Sequence, residues 1–292
     1  MDGLMKSQLF LLSLSLYAFS SFSAIAASTQ CTDAEKQTNI SNTTIMLLSS
    51  FNGPVKSVTM TSTLPNDGRF KALKGEIQLD ECGNLLKDST SMQEYIEGSI
   101  ETNLIRTTPD NPLVIRYQFQ LKNSYGSHSI YMQESYSKDQ QNRLNKKITQ
   151  YYANDGELID TLTSQFDYKE GRIVKEIAHS STSSEEVFTT EYAYDPQGRL
   201  RLVTEDKKIN VEYQYDDQGK VIKQANYIKG MNGEDKAFIS TCLEWDKFDN
   251  CTKEQLESTI KFDDEMINYS KAVLHNEFTY YEQYKDTLLF LE

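Results

Sequence analysis

The sequence predicts an all-β protein, a long antiparallel β-meander of short hairpins curled into a barrel-like or two-layer sheet. Three observations carry this reading. The phrase YAYDPQGRL at 192–200 returns almost unchanged as YQYDDQGKV at 213–221. Looser copies of its turn recur along the chain. Between the turns, apolar and polar residues alternate with the period of a half-buried strand.

Each position of the phrase has a physical reason. Tyr192 and Tyr194 flank Ala193, a period-2 pattern in a strong strand former. Asp195 suits the first position of a type I turn, because its carboxylate accepts backbone N–H bonds inside the turn. Pro196 fixes φ for the next position, and Gly198 supplies the left-handed residue that closes a three-residue loop with a bulge. That register sets Arg199 beside Asp195 and Leu200 opposite Tyr194. Asp216, Gly219, Lys220 and Val221 repeat the arrangement. Such cross-strand pairs add fractions of a kcal/mol each.

The looser copies follow in chain order: LPNDGRF at 64–70, LDECGNL at 79–85, KDQQNRL at 138–144, YANDGEL at 152–158, the shorter YKEGRI at 168–173, and WDKFDNC at 245–251. Asn142 stands where glycine stands elsewhere and tolerates the left-handed conformation better than most residues. No helix–strand alternation and no glycine-rich phosphate loop interrupts the series. Alternation puts Phe188, Tyr192, Tyr194, Leu200 and Leu202 on one face, with Glu191, Arg199 and Arg201 on the other. Ile209, Val211, Tyr213, Tyr215 and Val221 likewise oppose Glu212, Gln214 and Lys220. An aromatic face of this extent needs cover, so the sheet must curl or pack on itself.

The N-terminus reads as an export signal. Lys6 supplies a positive start, residues 9–22 form an apolar stretch too short to span a bilayer, and Ala24-Ile25-Ala26 fits a small-x-small cleavage site. The expected organisation is a signal peptide at 1–26, an N-terminal segment at 27–50 and a β-meander domain at 51–292. No later apolar run is long enough to cross a membrane. The net charge of −13 argues against nucleic acid or an anionic membrane surface as partner, since both need a basic patch.

Four cysteines, Cys31, Cys82, Cys242 and Cys251, follow the predicted cut, an even number that fits two disulfides in an oxidising compartment. Cys242 and Cys251 flank one hairpin and are the nearest pair, which leaves Cys31 for Cys82. The three-residue-loop register pairs Trp245 with Cys251 and turns Cys242 to the opposite face. A Cys242–Cys251 bridge therefore requires another loop length or a local distortion. The cysteines are too scattered for zinc-ligand spacing.

FNGPVKSVT at 51–59, VEYQYDDQGKVIKQ at 211–224, TCLEWDKFDNC at 241–251 and NEFTYY at 276–281 resemble the YnfC-like family of bacterial envelope lipoproteins. The turn phrase also resembles the YD repeat of RHS proteins, a strand pair that builds a shell. The first resemblance implies an envelope location and carries no catalytic residue. Lipidation needs a small residue just before the acylated cysteine, and Gln30 stands before Cys31. An unlipidated periplasmic or secreted protein is expected, with an outer-membrane anchor through Cys31 as the alternative.

No motif for a cofactor, a metal or catalysis is present. His128, His179 and His275 are isolated and read as solvated loop residues. KFDDE at 261–265 reads as a turn, and the DG turns lack the ligand pattern of a calcium loop. Three functions follow from these readings. The first is a binding module for a protein or polysaccharide of the cell envelope, acting through its aromatic or acidic sheet surface. The second is an immunity-like or structural partner of another envelope protein. The third is a hydrolase with unrecognised carboxylates, which would need a deep pocket holding a carboxylate pair.

Overall fold

The computed structural model of the chain describes residues 31–281, apart from positions 50 and 110 and the stretches 64–69, 97–99, 124–125, 182–185, 207–208, 230–233 and 263–264. The predicted signal peptide and the turn of the 64–70 copy lie outside the described residues. Sixteen antiparallel strands follow one another around a closed barrel. They are β1 (Val55–Thr63), β2 (Phe70–Leu79), β3 (Leu85–Ile96), β4 (Ile100–Thr107), β5 (Val114–Asn123), β6 (Gly126–Lys138), β7 (Leu144–Tyr152) and β8 (Leu158–Lys169). They continue as β9 (Arg172–Ser180), β10 (Glu186–Tyr194), β11 (Leu200–Glu205), β12 (Ile209–Tyr215), β13 (Val221–Lys229), β14 (Glu234–Trp245), β15 (Cys251–Phe262) and β16 (Glu265–Tyr280). Val58 of β1 pairs with Phe278 of β16 and closes the ring, so the expected meander resolves to a barrel.

One element was absent from the sequence reading. Residues Asp33–Leu47 of the N-terminal segment form a helix, α1. Its start is a capping box: Glu35 N donates to Thr32 Oγ1 at 3.2 Å, and Thr32 N donates to the Glu35 carboxylate at 2.8 Å. The helix plugs the rim that carries the 79–85, 138–144, 192–200, 213–221 and 245–251 turns. Ile45, Met46 and Leu47 pack on Val55, Leu79, Leu85, Ile115, Leu144, Ile173 and Leu200, all buried. Polar bonds set its height. Asn39 Nδ2 donates to Cys82 O at 3.1 Å, Thr43 Oγ1 to Gly83 O at 2.9 Å and Asn42 Nδ2 to Asn142 O at 2.8 Å. The Cys31–Cys82 disulfide ties the helix start to the β2–β3 turn.

The turn register is the expected one: Tyr194 pairs with Leu200, and Tyr215 with Val221. The bulge that follows changes the faces, however. Arg201 is the extra residue of β11, so Val203 rather than Leu202 joins Tyr192 and Val211 inside. Leu202 instead pairs with Ala193 and Glu212 on the outer face. A second bulge reconciles the cysteines. Trp245 does pair with Cys251, but the register slips again at Leu243 and returns Cys242 to the same side, where the Cys242–Cys251 disulfide forms. The histidines, read as loop residues, all lie in strands: His128 in β6, His179 at the end of β9 and His275 in β16.

The two faces have opposite characters. Phe166, Tyr192, Val203, Val211 and Tyr213 point inward and are buried. Lys146, Gln165, Asp167, Glu191, Arg201, Glu212 and Gln214 point outward and are exposed.

Candidate functional site

The residues singled out from sequence, Asp195, Gly198, Asp216 and Gly219, all stand on the capped rim and build structure there. Asp195 Oδ1 accepts from Arg199 N at 2.8 Å, and Oδ2 meets Arg199 Nε at 2.6 Å. Burial raises the Asp195 carboxyl, but the Arg199 backbone and guanidinium outweigh it and hold it below the ordinary range. The second copy departs from expectation. Lys220 donates its backbone N–H to Asp216 at 2.8 Å but sends its ammonium to Asp249 of the next turn, at 2.9 Å. The left-handed residue of that next turn is Asp249 itself, with φ of 64°.

The hairpins are also stitched to one another, which the sequence reading did not anticipate. Tyr168 OH donates to Leu144 O, Tyr194 OH to Ile173 O and Tyr215 OH to Leu200 O, at 2.7–2.8 Å. In each case the acceptor is the first or second strand residue after the preceding rim turn. The cation just before that residue lies over the same ring: Arg143 over Tyr168 at 4.8 Å, Arg172 over Tyr194 at 5.7 Å and Arg199 over Tyr215 at 4.3 Å. Burial pushes Tyr194 and Tyr215 up to about 12, so both remain neutral donors. Lys220 over Trp245 continues the ladder at 5.9 Å, but the buried Trp245 Nε1 finds no acceptor. The ladder explains the glycines twice over. Gly198 has φ of 82° and Gly219 of 93°. A Cβ on Gly198 would also strike the Arg172 guanidinium. Gly198→Val should therefore lower stability by roughly 1–3 kcal/mol, combining left-handed strain with a displaced Arg172. Asp195→Asn keeps one turn acceptor and should cost within about 1 kcal/mol. Urea melts of the two variants check the ranking.

Inside the barrel lies a charged cluster that no motif announces. Lys147 of β7 meets Glu176 of β9 at 2.5 Å and Glu134 of β6 at 3.8 Å. Tyr136 and Tyr117 both donate to Glu134 Oε2, at 2.8 and 3.0 Å, and Tyr192 donates to Glu176 Oε2 at 3.2 Å. Burial alone would depress the Lys147 ammonium; Glu176 first, then Glu134, outweighs it and holds it above the lysine range. Glu205 sits within the same field, and burial raises its carboxyl with support from Glu176. Nearby, Arg106 Nε meets the fully buried Asp88 at 2.5 Å. Asp88 Oδ1 also accepts from Arg106 Nη2 at 3.4 Å and from Thr90 Oγ1 at 2.8 Å. Glu134 and Glu176 are the carboxylate pair a hydrolase would need, yet a lysine lies between them and tyrosine hydroxyls occupy them. Removing one partner of such a buried set strands the charges that remain.

Two cavities stand out among the described residues. One of about 140 Å³ lies against the Cys242–Cys251 disulfide, lined by Phe51, Met60, Tyr213, Glu254, Asn276 and Phe278 among others. The other, of about 220 Å³, opens between α1 and the β2–β3 turn. Sites for small molecules run to roughly 300–1,000 Å³. Both cavities are smaller than that range.

These features define a disulfide-stapled, helix-plugged up-and-down barrel. No family model matches the sequence, and no curated protein matches it. Among solved structures, a porin-like protein from Bacteroides uniformis is similar over 78% of this chain and 98% of its own, at 8% identity and a TM-score of 0.43. A porin-like protein from Bacteroides vulgatus covers the same shares at 12% identity and a TM-score of 0.30. A Photorhabdus luminescens Tc holotoxin pore is similar over 69% of this chain and 14% of its own length, at 12% identity and a TM-score of 0.28. Likenesses this loose do not reach function.

Proposed function

We propose that the chain is an exported, non-catalytic interaction protein of the bacterial envelope or its surroundings, which meets its partner on the outer wall of the barrel. The observation that carries this is the inversion of the faces. A barrel that spans a membrane presents an apolar band to lipid and a polar lumen. Here Tyr136, Tyr192, Tyr213, Phe166 and the aliphatics of the main core are buried, and Lys146, Asp167, Glu191, Arg201 and Glu212 are exposed, interspersed with exposed apolar residues such as Phe119, Ile130, Ile159 and Tyr227. The buried aromatic face is therefore set aside as a binding surface, and the mainly charged exposed face supports the reading best. Asp2 and Lys6 cancel within residues 1–26, so removing that segment leaves the net charge at −13. A surface of that sign favours a protein partner with a basic face, or a cationic polysaccharide, and speeds its capture at low salt. The two disulfides fit an oxidising compartment. The resemblance to YnfC-like lipoproteins points to the same compartment, without the lipid.

Expression with the native leader, followed by osmotic release without detergent, tests this. The expected product is soluble, begins at Ala27 by intact mass and carries no acyl group. Crosslinking in the same cells should then capture a partner whose yield falls with added salt. Recovery only in detergent, or a chain starting at Cys31 with acyl mass, would overturn the reading.

A further inference from the structure

The cavity of about 140 Å³ beside the Cys242–Cys251 disulfide contains a buried acceptor with nothing to accept. Asn276 of β16 lines it and is 7% exposed. Its Nδ2 spends both protons, on Cys251 O at 3.0 Å and on Glu254 Oε1 at 2.6 Å. Both partners are acceptors, so the amide has only this orientation. Its Oδ1 is left buried without a donor. A buried oxygen of this kind calls for one.

Glu254 of β15 adds a charge to the same wall. It stands opposite Cys242 and Leu274 in the sheet, and both are buried. Its two oxygens accept only from neutral groups, Oε1 from Asn276 and Oε2 from Ser240 Oγ at 2.6 Å. The other inward carboxylates, Asp88, Glu134 and Glu176, each meet an arginine or a lysine. Among the described residues Glu254 meets neither. The one basic residue of the lining, Lys223, pairs with Gln214 and so belongs to the outer face. Much of the remaining wall is apolar, with Met60, Phe51 and Phe278. The last two rings meet edge to face at 6.3 Å.

These walls select among small ligands. A water molecule gives Asn276 a donor but brings no charge to Glu254. A bare metal ion brings charge but needs several more oxygens, where this wall offers phenyl rings. A primary ammonium supplies both requirements, with three N–H donors and one positive charge. Aromatic rings favour such a cation. A cavity of about 150 Å³ admits a benzene ring, so a short alkyl chain fits here.

We infer that this cavity binds a short primary alkylammonium. The head sits between Asn276 Oδ1 and Glu254, and the chain lies against Met60, Phe51 and Phe278. The site is inside the barrel and independent of a partner on the outer wall.

The test is a titration of the full exported chain, its methionine methyls labelled with ¹³C, with n-butylammonium chloride. Met60 reports from the wall, and a Met60→Leu variant assigns its signal. That signal should shift saturably with a Kd on the order of 1 mM, ordinary for so small a ligand. Two control ligands divide the requirement: n-butanol has the shape without the charge, and tetramethylammonium has the charge without an N–H. Each should bind roughly tenfold more weakly or worse, since a charged hydrogen bond is lost. Glu254→Gln keeps an acceptor in place and should weaken n-butylammonium by a similar factor while leaving n-butanol unchanged. No saturable shift at about a hundred times the expected Kd would mean that water alone fills the cavity. Equal binding of either control, or unchanged binding by a folded Glu254→Gln variant, would equally overturn the site. The comparison of ligands on the unaltered chain decides the matter even where the variant does not fold.

Discussion

Lys147→Ala should lower the stability of the barrel by about 3–5 kcal/mol, the cost typical of stranding buried charges by removing one partner. The side chains of Lys147 and Glu176 are only 13% and 3% exposed, so solvent screens little of this loss. For a domain of this size the melting temperature should fall on the order of 10 °C. The cost should be electrostatic rather than a matter of volume, and a double substitution separates the two. Lys147→Met with Glu176→Gln removes one charge of each sign and keeps an acceptor for Tyr192, so it should recover more than half of the loss. Equal destabilisation by the single and double variants would mean that packing, not charge pairing, explains the cluster. The pH dependence has a definite sign. The Lys147 ammonium is held above its ordinary value in the fold. Its contribution is therefore complete below the unfolded lysine value and is lost as pH rises through the raised one. Wild type should lose stability in that alkaline window, and the Lys147→Met/Glu176→Gln variant should lose less.

The second large effect concerns the staple. In the chain-entropy model, a bridge across a sequence separation of 51 contributes about 4 kcal/mol, and one across 9 about 2.6 kcal/mol. Cys31→Ser with Cys82→Ser should therefore cost more than Cys242→Ser with Cys251→Ser. It should also have a distinct consequence. A fifteen-residue helix is marginal alone in water, and α1 is tied to the rim through buried Asn39, Asn42 and Thr43. Loosening it would uncover Leu85, Leu144, Ile173 and Leu200, so the first variant should bind a hydrophobic dye before global unfolding and the second should not. Melts of both variants, followed by dye fluorescence and circular dichroism, check the order and the dye signal. A larger loss from the Cys242–Cys251 pair would contradict the account of the plug.

The turn phrase made much of the fold legible, because its chemistry is local. Asp195, Gly198 and Leu200 lie within six residues, and their geometry follows from turn type alone. The same locality explains what was missed. The bulge after each turn shifts the strand by one residue, and that shift exchanges Leu202 for Val203 inside the barrel. The Tyr–carbonyl ladder joins residues 15 to 24 apart, across hairpins rather than within them. Thr32 and Glu35 did carry a capping-box signal for α1, hidden by the strand-rich context around it. The charged cluster left no local trace. Glu134, Lys147 and Glu176 stand on β6, β7 and β9, and only the closed sheet brings them together. Closure itself pairs Val58 with Phe278, at opposite ends of the chain, and no short motif encodes it.

The central claim is that this barrel wears its polar face outward and keeps its aromatic face within. Neighbouring residues on one strand test it most directly. Ser164 is fully buried and Gln165 exposed on β8, while Thr190 is 5% exposed and Glu191 faces out on β10. Single cysteines at these four positions, in exported protein within intact envelopes, would be offered a charged, water-soluble maleimide without detergent. The account predicts rapid labelling of Gln165→Cys and Glu191→Cys, and protection of Ser164→Cys and Thr190→Cys until urea is added. The opposite pattern, with 164 and 190 reactive in a wet lumen and 165 and 191 shielded by lipid, would contradict it.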